Sequence, residues 1–279
     1  HLLSRRQRQM CIRDSRITVQ TGIYGNNKRR GKQWGRNLML GIQFFICWVF
    51  VSLTAALYLQ AEKTTNSLIH TLSQKEKSEI LSIPLDYPFM KNEEKLALIE
   101  CFKQHAGVKE ILLSDVSYMQ GMSGNGLTTE KGNENSWVDI SVMAVPANFF
   151  SFMNIPIEQG RLPQTEKDIV VDNVWQQIQK KDVIGMNLYS GNTDYTICGI
   201  SAPFQADVYN RSSGYAFLPY DPSVYIGHCY IKSHPGQQKE VARWIEKVYR
   251  EMLPENITYQ AKTFLDDIYV SQALECNLK

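Results

Sequence analysis

His228, Cys229 and His234 are the place in this chain where side chains that could ligate a metal crowd together. A closed zinc site needs four such ligands in a tetrahedron. No fourth stands nearby in sequence, so the reading is a strand cysteine flanked by two solvated histidines. His70 and His105 fall on helices. The segment Gly25–Gln33, GNNKRRGKQ, has the flavour of a phosphate-binding loop but fails in detail. Its glycines are one residue too far apart, Gln33 stands where a magnesium-binding Ser or Thr belongs, and no strand precedes it. Asp266-Asp267 and Glu93-Glu94 are neighbours that would point in different directions on helices, and so read as solvated surface rather than acid–base pairs. Neither a Gly-x-Ser-x-Gly elbow nor an HExxH pair occurs. The expectation is a chain without catalytic residues, metal or cofactor.

What has to carry function is then the architecture, and one stretch dominates it. Leu38–Leu59, LMLGIQFFICWVFVSLTAALYL, holds no charge. As a helix it would span roughly 33 Å, against about 30 Å for a bilayer core. It is apolar on every side, with Trp34 and Tyr58 placed as interfacial anchors. The chain is nearly neutral at +2, but residues 1–60 carry ten Lys/Arg against one acid, while 61–279 carry twenty against twenty-seven. Lys28, Arg29, Arg30, Lys32 and Arg36 precede the helix, which places residues 16–36 in the cytoplasm, 37–60 in the lipid bilayer and 61–279 outside. So short a basic run suits topology and lipid headgroups; no nucleic acid partner is expected. His1–Ser15 reads as a translated sequencing adaptor and is set aside, which makes the chain a fragment.

Beyond the bilayer, residues 61–77 lack Gly and Pro and predict a helical stalk continuing the membrane helix. Strands are expected at Glu79–Leu85, Val108–Val116, Trp137–Val145, Asp168–Asp172, Tyr215–Leu218, Cys229–Lys232 and Ile257–Gln260. A hairpin is expected around Gly191-Asn192. Helices are expected at Lys91–His105, Ala147–Met153, after Asp172, at Gln237–Met252 and at Thr263–Leu274, with a long loop at Ser117–Ser136 and a turn-rich link at Pro156–Pro163. Strands and helices mix without strict alternation, so the class is α+β, as one large domain or two subdomains. The cysteines outside the membrane, Cys101, Cys198, Cys229 and Cys276, are too irregularly spaced for a disulfide framework and are expected to be mostly free.

From Ala147 onward the order of motifs ANFFSFMNIPIEQGR, DIVVDNVW, DVIGMNL and DYTICGI resembles the extracytoplasmic core domain of MacB/FtsX-like ABC transporter permeases. The matching positions are Phe149 and Phe150, Gly160 and Arg161, Ile169 to Val171, Ile184 and Gly185, and Tyr195 to Ile200 with Gly199. WGRNLMLGIQF resembles the segment opening the second half of duplicated members, and TFLDDIYVSQ resembles the segment before the next membrane helix. Residues 61–145 match poorly. The resemblance implies a non-catalytic permease subunit in a bacterial cytoplasmic membrane. Its implied partners are a separate cytoplasmic ATP-binding subunit, a second permease half as homodimer or pseudo-dimer, and an extracytoplasmic protein. It also implies structural roles for the three glycines and an Arg161 anchor to a carboxylate. The competing expectation is the external sensor domain of a membrane signalling receptor.

Overall fold

A helix of 38 residues, α1 (Arg30–Ser67), opens the computed structural model, which describes residues 30–119, 126–206, 213–254, 257 and 262–277. At 1.5 Å per residue it is about 57 Å long, well beyond a bilayer core. Its stretch Trp34–Lys63 is long and apolar enough to cross a membrane, and none of it is buried. The hydroxyls inside the span cause no difficulty in lipid: Ser52 donates to the Trp48 carbonyl at 2.9 Å and Thr54 to the Phe50 carbonyl at 2.8 Å. The expectations for His1–Ser15, for the basic residues before Arg30 and for most of GNNKRRGKQ lie outside the described residues.

The chain divides into two units, His1–Ala61 and Glu62–Lys279. The second is α+β, as its sequence implies. It contains α2 (Gln74–Glu79), β1 (Ile80–Pro84), α3 (Asn92–Lys103), β2 (Val108–Ser114), β3 (Ser141–Val145), α4 (Phe149–Phe152), β4 (Ile157–Gly160) and β5 (Asp168–Asp172). Then come α5 (Asn173–Gln179), β6 (Asn187–Ser190), β7 (Thr193–Ser201), β8 (Tyr215–Pro219), β9 (His228–Ser233), α6 (Gln238–Met252), β10 (Lys262–Thr263) and α7 (Phe264–Asn277).

Two sheets organise the unit. The first is antiparallel in the order β10-β1-β9-β2; the second is mixed, β3-β8-β5-β7-β4, with β6 also on β7. Strand alternation sorts the side chains into three apolar layers. Ile80, Tyr230, Met143, Val170 and Phe217 face inward between the sheets, together with Phe149, Phe150 and Phe152 of α4. Leu81, Ile83, Cys229 and Ile231 face the opposite way, under α3 and α6. Ile169, Val171, Ile197 and Ala216 form the outer layer of the second sheet, with Trp175 of α5.

Several expectations need correcting. The stalk does not run to residue 77: α1 ends at Ser67, and a turn separates it from α2. The link at Pro156–Pro163 contains a strand, β4, antiparallel to β7. The strand expected over Trp137–Val145 is confined to Ser141–Val145; Trp137 instead forms a lone bridge to Thr128. The described part of the Ser117–Ser136 loop is not featureless, since Thr128 also bridges Tyr189 and Glu134–Ser136 forms a 3₁₀ turn. On α6, Tyr249 rather than Met252 completes the buried face, and Met252 stays exposed. Of the strand expected at Ile257–Gln260, residues 258–260 lie outside the described residues; β1 is flanked there by Lys262–Thr263.

Candidate functional site

The expected stalk carried Leu68, Ile69 and Leu72 at helical spacing. In the structure these three side chains are buried at 1%, 0% and 2% exposure, and their burial explains why the helix stops. Ile69 adopts φ 45°, a left-handed conformation that a β-branched residue enters at about 1–3 kcal/mol. Burying three large aliphatic side chains contributes roughly 5–9 kcal/mol, so the turn prevails over a straight rod. The turn's polar groups are also partnered. Ile69 N–H donates to the Gln205 carbonyl at 2.8 Å and the Thr71 hydroxyl to the Met153 carbonyl at 2.6 Å.

Lys77 completes this entry joint. Its side chain is almost wholly buried, and its ammonium donates to the Leu68 carbonyl at 2.6 Å, just past the end of α1. Burial lowers its pKa from the usual lysine value. A new helix starts at once. Ser73 and Glu76 form a reciprocal capping box, and Asn154 donates to the other Glu76 oxygen at 3.0 Å. Those hydrogen bonds, Ser73's first among them, lower the Glu76 pKa. Ser73-Gln-Lys-Glu76 is an S-x-x-E signature, so the restart was visible in sequence; Lys77's burial carried no such signal.

The first turns of α7 enter the same layer. Phe264 and Ile268 of α7 share the inter-sheet cluster with Leu68, Ile69 and Leu72, and Phe264 sits edge-on to Tyr230 with centroids 5.2 Å apart. The turn after α1 and the start of α7 thus share one core in this unit.

Beside the start of α7 lie His228 and Asp267, which sequence alone placed in solvent. His228 is 6% exposed, and its Nε2 lies 2.7 Å from the Ser82 hydroxyl. That hydroxyl also donates to Asp267 Oδ2, which lies 3.8 Å from the ring nitrogen. Burial pushes His228 down to about 4 and raises the Asp267 pKa, the Ser82 hydrogen bond offsetting the latter in part. This is not a hydrolytic triad. The carboxylate and the imidazole both meet the serine hydroxyl, whereas a triad needs the carboxylate and the serine on opposite nitrogens of the imidazole, and Ser82 is 1% exposed. Cys229 points to the opposite layer and His234 is exposed, so the three candidate zinc ligands do not converge. Among the described residues no group of three His, Cys, Asp or Glu could hold a metal ion. Glu93 and Glu94 are exposed, and Glu94 accepts from Lys91 N–H at 2.9 Å.

The remaining singled-out residues sit on the second sheet. Gly160 and Gly199 face each other across β4 and β7. A Cβ on Gly160, at φ 77°, would lie 2.3 Å from the Cys198 carbonyl oxygen, and one on Gly199 would lie 2.4 Å from that of Arg161. Gly185 has φ 81° in a turn, with open space around it. Arg161 Nη1 donates to Asp168 Oδ2 at 2.6 Å, and that oxygen also accepts from Gln164 and Thr165 N–H. The Arg161 bond, foremost, holds Asp168 down to about 2. Phe149 and Phe150 are buried in the aromatic cluster with Phe204 and Phe217.

Surface clefts of about 310 to 360 Å³ occur elsewhere. One lies between Val145, Phe150 and Tyr220, another between Trp137, Ile178 and Met186. The first is lined by one charged side chain, Glu166, and the second by two, Asp139 and Lys181.

No family model and no curated protein matches the chain. Among solved structures, the chain is similar to the extracellular domain of the noncanonic ABC-type transporter YknZ from Gram-positive bacteria. That match has TM-score 0.44 and 12% identity, covering 66% of this chain and 96% of that one. It is likewise similar to the periplasmic region of MacB from Actinobacillus actinomycetemcomitans, with TM-score 0.46 and 12% identity, covering 74% of this chain and 98% of that one.

Proposed function

We propose that this chain is part of an ABC transporter permease subunit. Residues 16–36 lie in the cytoplasm, the helix over 37–60 crosses the bacterial inner membrane, and the α+β unit works outside. A separate cytoplasmic ATP-binding subunit supplies the energy, and a second permease half completes the assembly. The external domain changes posture to export a substrate or to switch an extracytoplasmic partner, with no chemistry of its own.

The observation that carries this reading is the joint. The turn that follows α1 and the helix that leaves the domain bury their side chains in one core, so force on either is felt by the other. The ordered motifs from Ala147 onward supply the family to which such an arrangement would belong. On this reading Phe149 and Phe150 fill the core. Gly160, Gly185 and Gly199 permit turns and a close strand approach, and Arg161 anchors the β4 exit to β5.

The test replaces Thr64–Ser67, in the last turn of α1, by four glycines in the assembled transporter. Flexible Gly segments absorb displacement that a helix relays. Membrane insertion and ATP hydrolysis should persist while the ratio of transport to hydrolysis falls in reconstituted vesicles. An unchanged ratio would make α1 a passive tether and end the mechanical reading. Topology is checked separately in intact cells: an impermeant thiol reagent should label a cysteine introduced at Asn125 and spare one at Gly25.

A further inference from the structure

We propose that the Ser82 hydroxyl, shared between His228 and Asp267, is a proton-relay latch that fastens the first turn of α7 to the first sheet and opens as a unit when that helix is drawn away. The inference stands on this unit's own geometry and survives if the permease reading fails.

Hydrogen-bond directions fix the relay. Ser82 has one hydroxyl proton, and it goes to Asp267 Oδ2. The contact at 2.7 Å with His228 must then run the other way, Nε2–H donating to the serine oxygen. The imidazole therefore carries its proton on Nε2, and the chain reads Nε2–H to Oγ–H to carboxylate. All three groups come from different elements: Ser82 from β1, His228 from β9 and Asp267 from α7. Ser82 pairs with Tyr230 on β9, two residues from His228, so the serine and the histidine lie diagonally on the same face of the sheet. Breaking the relay by withdrawing α7 leaves the buried Ser82 hydroxyl without its acceptor, while His228 stays on the serine oxygen. Such a contact is held firmly or released outright.

The other groups around the relay can be named. Lys262 on β10 favours the ionised form of Asp267 and Asp266 on α7 opposes it, while the Tyr230 ring lies 4.6 Å from the His228 ring. The relay's two ends respond to acid with opposite signs. Burial lowers His228 from 6.5 to about 4, so a released state takes up that proton first. Its contribution to the latch is whole above pH 6.5 and is lost as pH falls toward 4. Burial raises Asp267 above 3.8, so the latched state takes up that proton first, and its contribution grows as pH falls through the raised value. The two ends therefore oppose one another as the exterior acidifies.

Amide hydrogen exchange on the full chain in detergent micelles tests this, with rates corrected for intrinsic pH dependence. At pH 7.5, Ser82→Ala and, independently, the isosteric Asp267→Asn should each raise exchange at residues 262–270 by at least tenfold. Amides of β5 and β8 should be unchanged in both. Asp267→Asn should lose protection below pH 6.5 by up to tenfold per unit, and His228→Gln should gain protection as pH falls. The latch is overturned if Asp267→Asn leaves residues 262–270 unchanged, or if protection falls equally in both sheets. It is also overturned if the two single variants keep the wild-type pH profile.

Discussion

Replacing Gly160 by alanine separates two reasons for which a glycine can be required. At φ 77° an alanine there accepts about 1–2 kcal/mol of left-handed strain. It also drives a methyl to 2.3 Å from the Cys198 carbonyl oxygen and 2.8 Å from the Gly199 Cα. Both atoms are backbone, so the strands must part, at roughly 1–3 kcal/mol. The total is roughly 2–5 kcal/mol. Gly185 is the internal control: φ 81° but nothing within 4 Å, so Gly185→Ala should show only the conformational part, about 1–2 kcal/mol. Gly199→Ala isolates the other part, with no positive φ but a contact of 2.4 Å to the Arg161 carbonyl oxygen, about 1–3 kcal/mol. Urea unfolding of the chain in micelles, followed by tryptophan fluorescence at constant slope, gives the three values. Gly160→Ala and Gly199→Ala share one crossing, so the double variant should fall short of their sum. If Gly160→Ala and Gly185→Ala are equal, the strand contact exerts no force. A partner-dependent loss of activity without loss of stability would instead make these glycines ligand contacts.

The ion pair Arg161–Asp168 makes stability pH-dependent. The Asp168 carboxyl sits at about 2 in the fold against 3.8, so its contribution is present above about pH 4 and lost as pH falls toward 2. Arg161 is half exposed, so solvent screens the contribution and keeps it small; Arg161→Met should remove it and flatten the acid limb of a stability–pH curve. At the entry joint, Leu72→Ala should cost about 2–5 kcal/mol by urea titration, whereas Leu57→Ala on the exposed face of α1 should leave the domain's unfolding midpoint in place. Cys101, Cys198 and Cys229 are free; burial raises the thiol pKa of Cys198 and, much further, of Cys229. A thiol reagent should therefore leave Cys229 unmodified until urea unfolds the domain, and rapid labelling in native conditions would contradict its place in the core.

What sequence could reveal followed from how each signal arises. The membrane helix, the strands β5 and β9 and the helix α6 are written in local period and composition, which packing does not reverse. Leu68, Ile69 and Leu72 were ambiguous because positions i, i+1 and i+4 suit both a helix stripe and a turn that tucks into a core. The capping box at Ser73–Glu76 would have settled it. His228 and Asp267 were misplaced for a different reason. They lie 39 positions apart, and Ser82 a further 146 from the histidine, so nothing local distinguishes a buried relay from solvated polar residues. Arg161 and Asp168 are only seven apart, and the two are joined by a hydrogen bond at 2.6 Å.

The break after Ser67 bears on whether motion can pass this point. An unanchored turn between two helices would behave as a hinge and dissipate displacement. This one is held by Ile69 N–H on Gln205, Thr71 on Met153 and the Lys77 ammonium on Leu68, all at 2.6–2.8 Å, with three aliphatic side chains buried beneath. Each neutral hydrogen bond contributes about 0.5–1.5 kcal/mol and the charged one about 1.5–3. Added to the roughly 5–9 kcal/mol of burial, that resists bending far more than the 0.6 kcal/mol of thermal energy available to each motion at room temperature. The turn therefore behaves as a rigid elbow, and displacement of residues 68–72 carries Met153 and Gln205 with it. Thr71→Val keeps the shape of the side chain and removes one tether. It should leave the fold stable to within about 1–2 kcal/mol while raising amide exchange at residues 68–73 alone. Unchanged exchange there would mean that burial alone holds the elbow, and that its hydrogen bonds are incidental to stiffness.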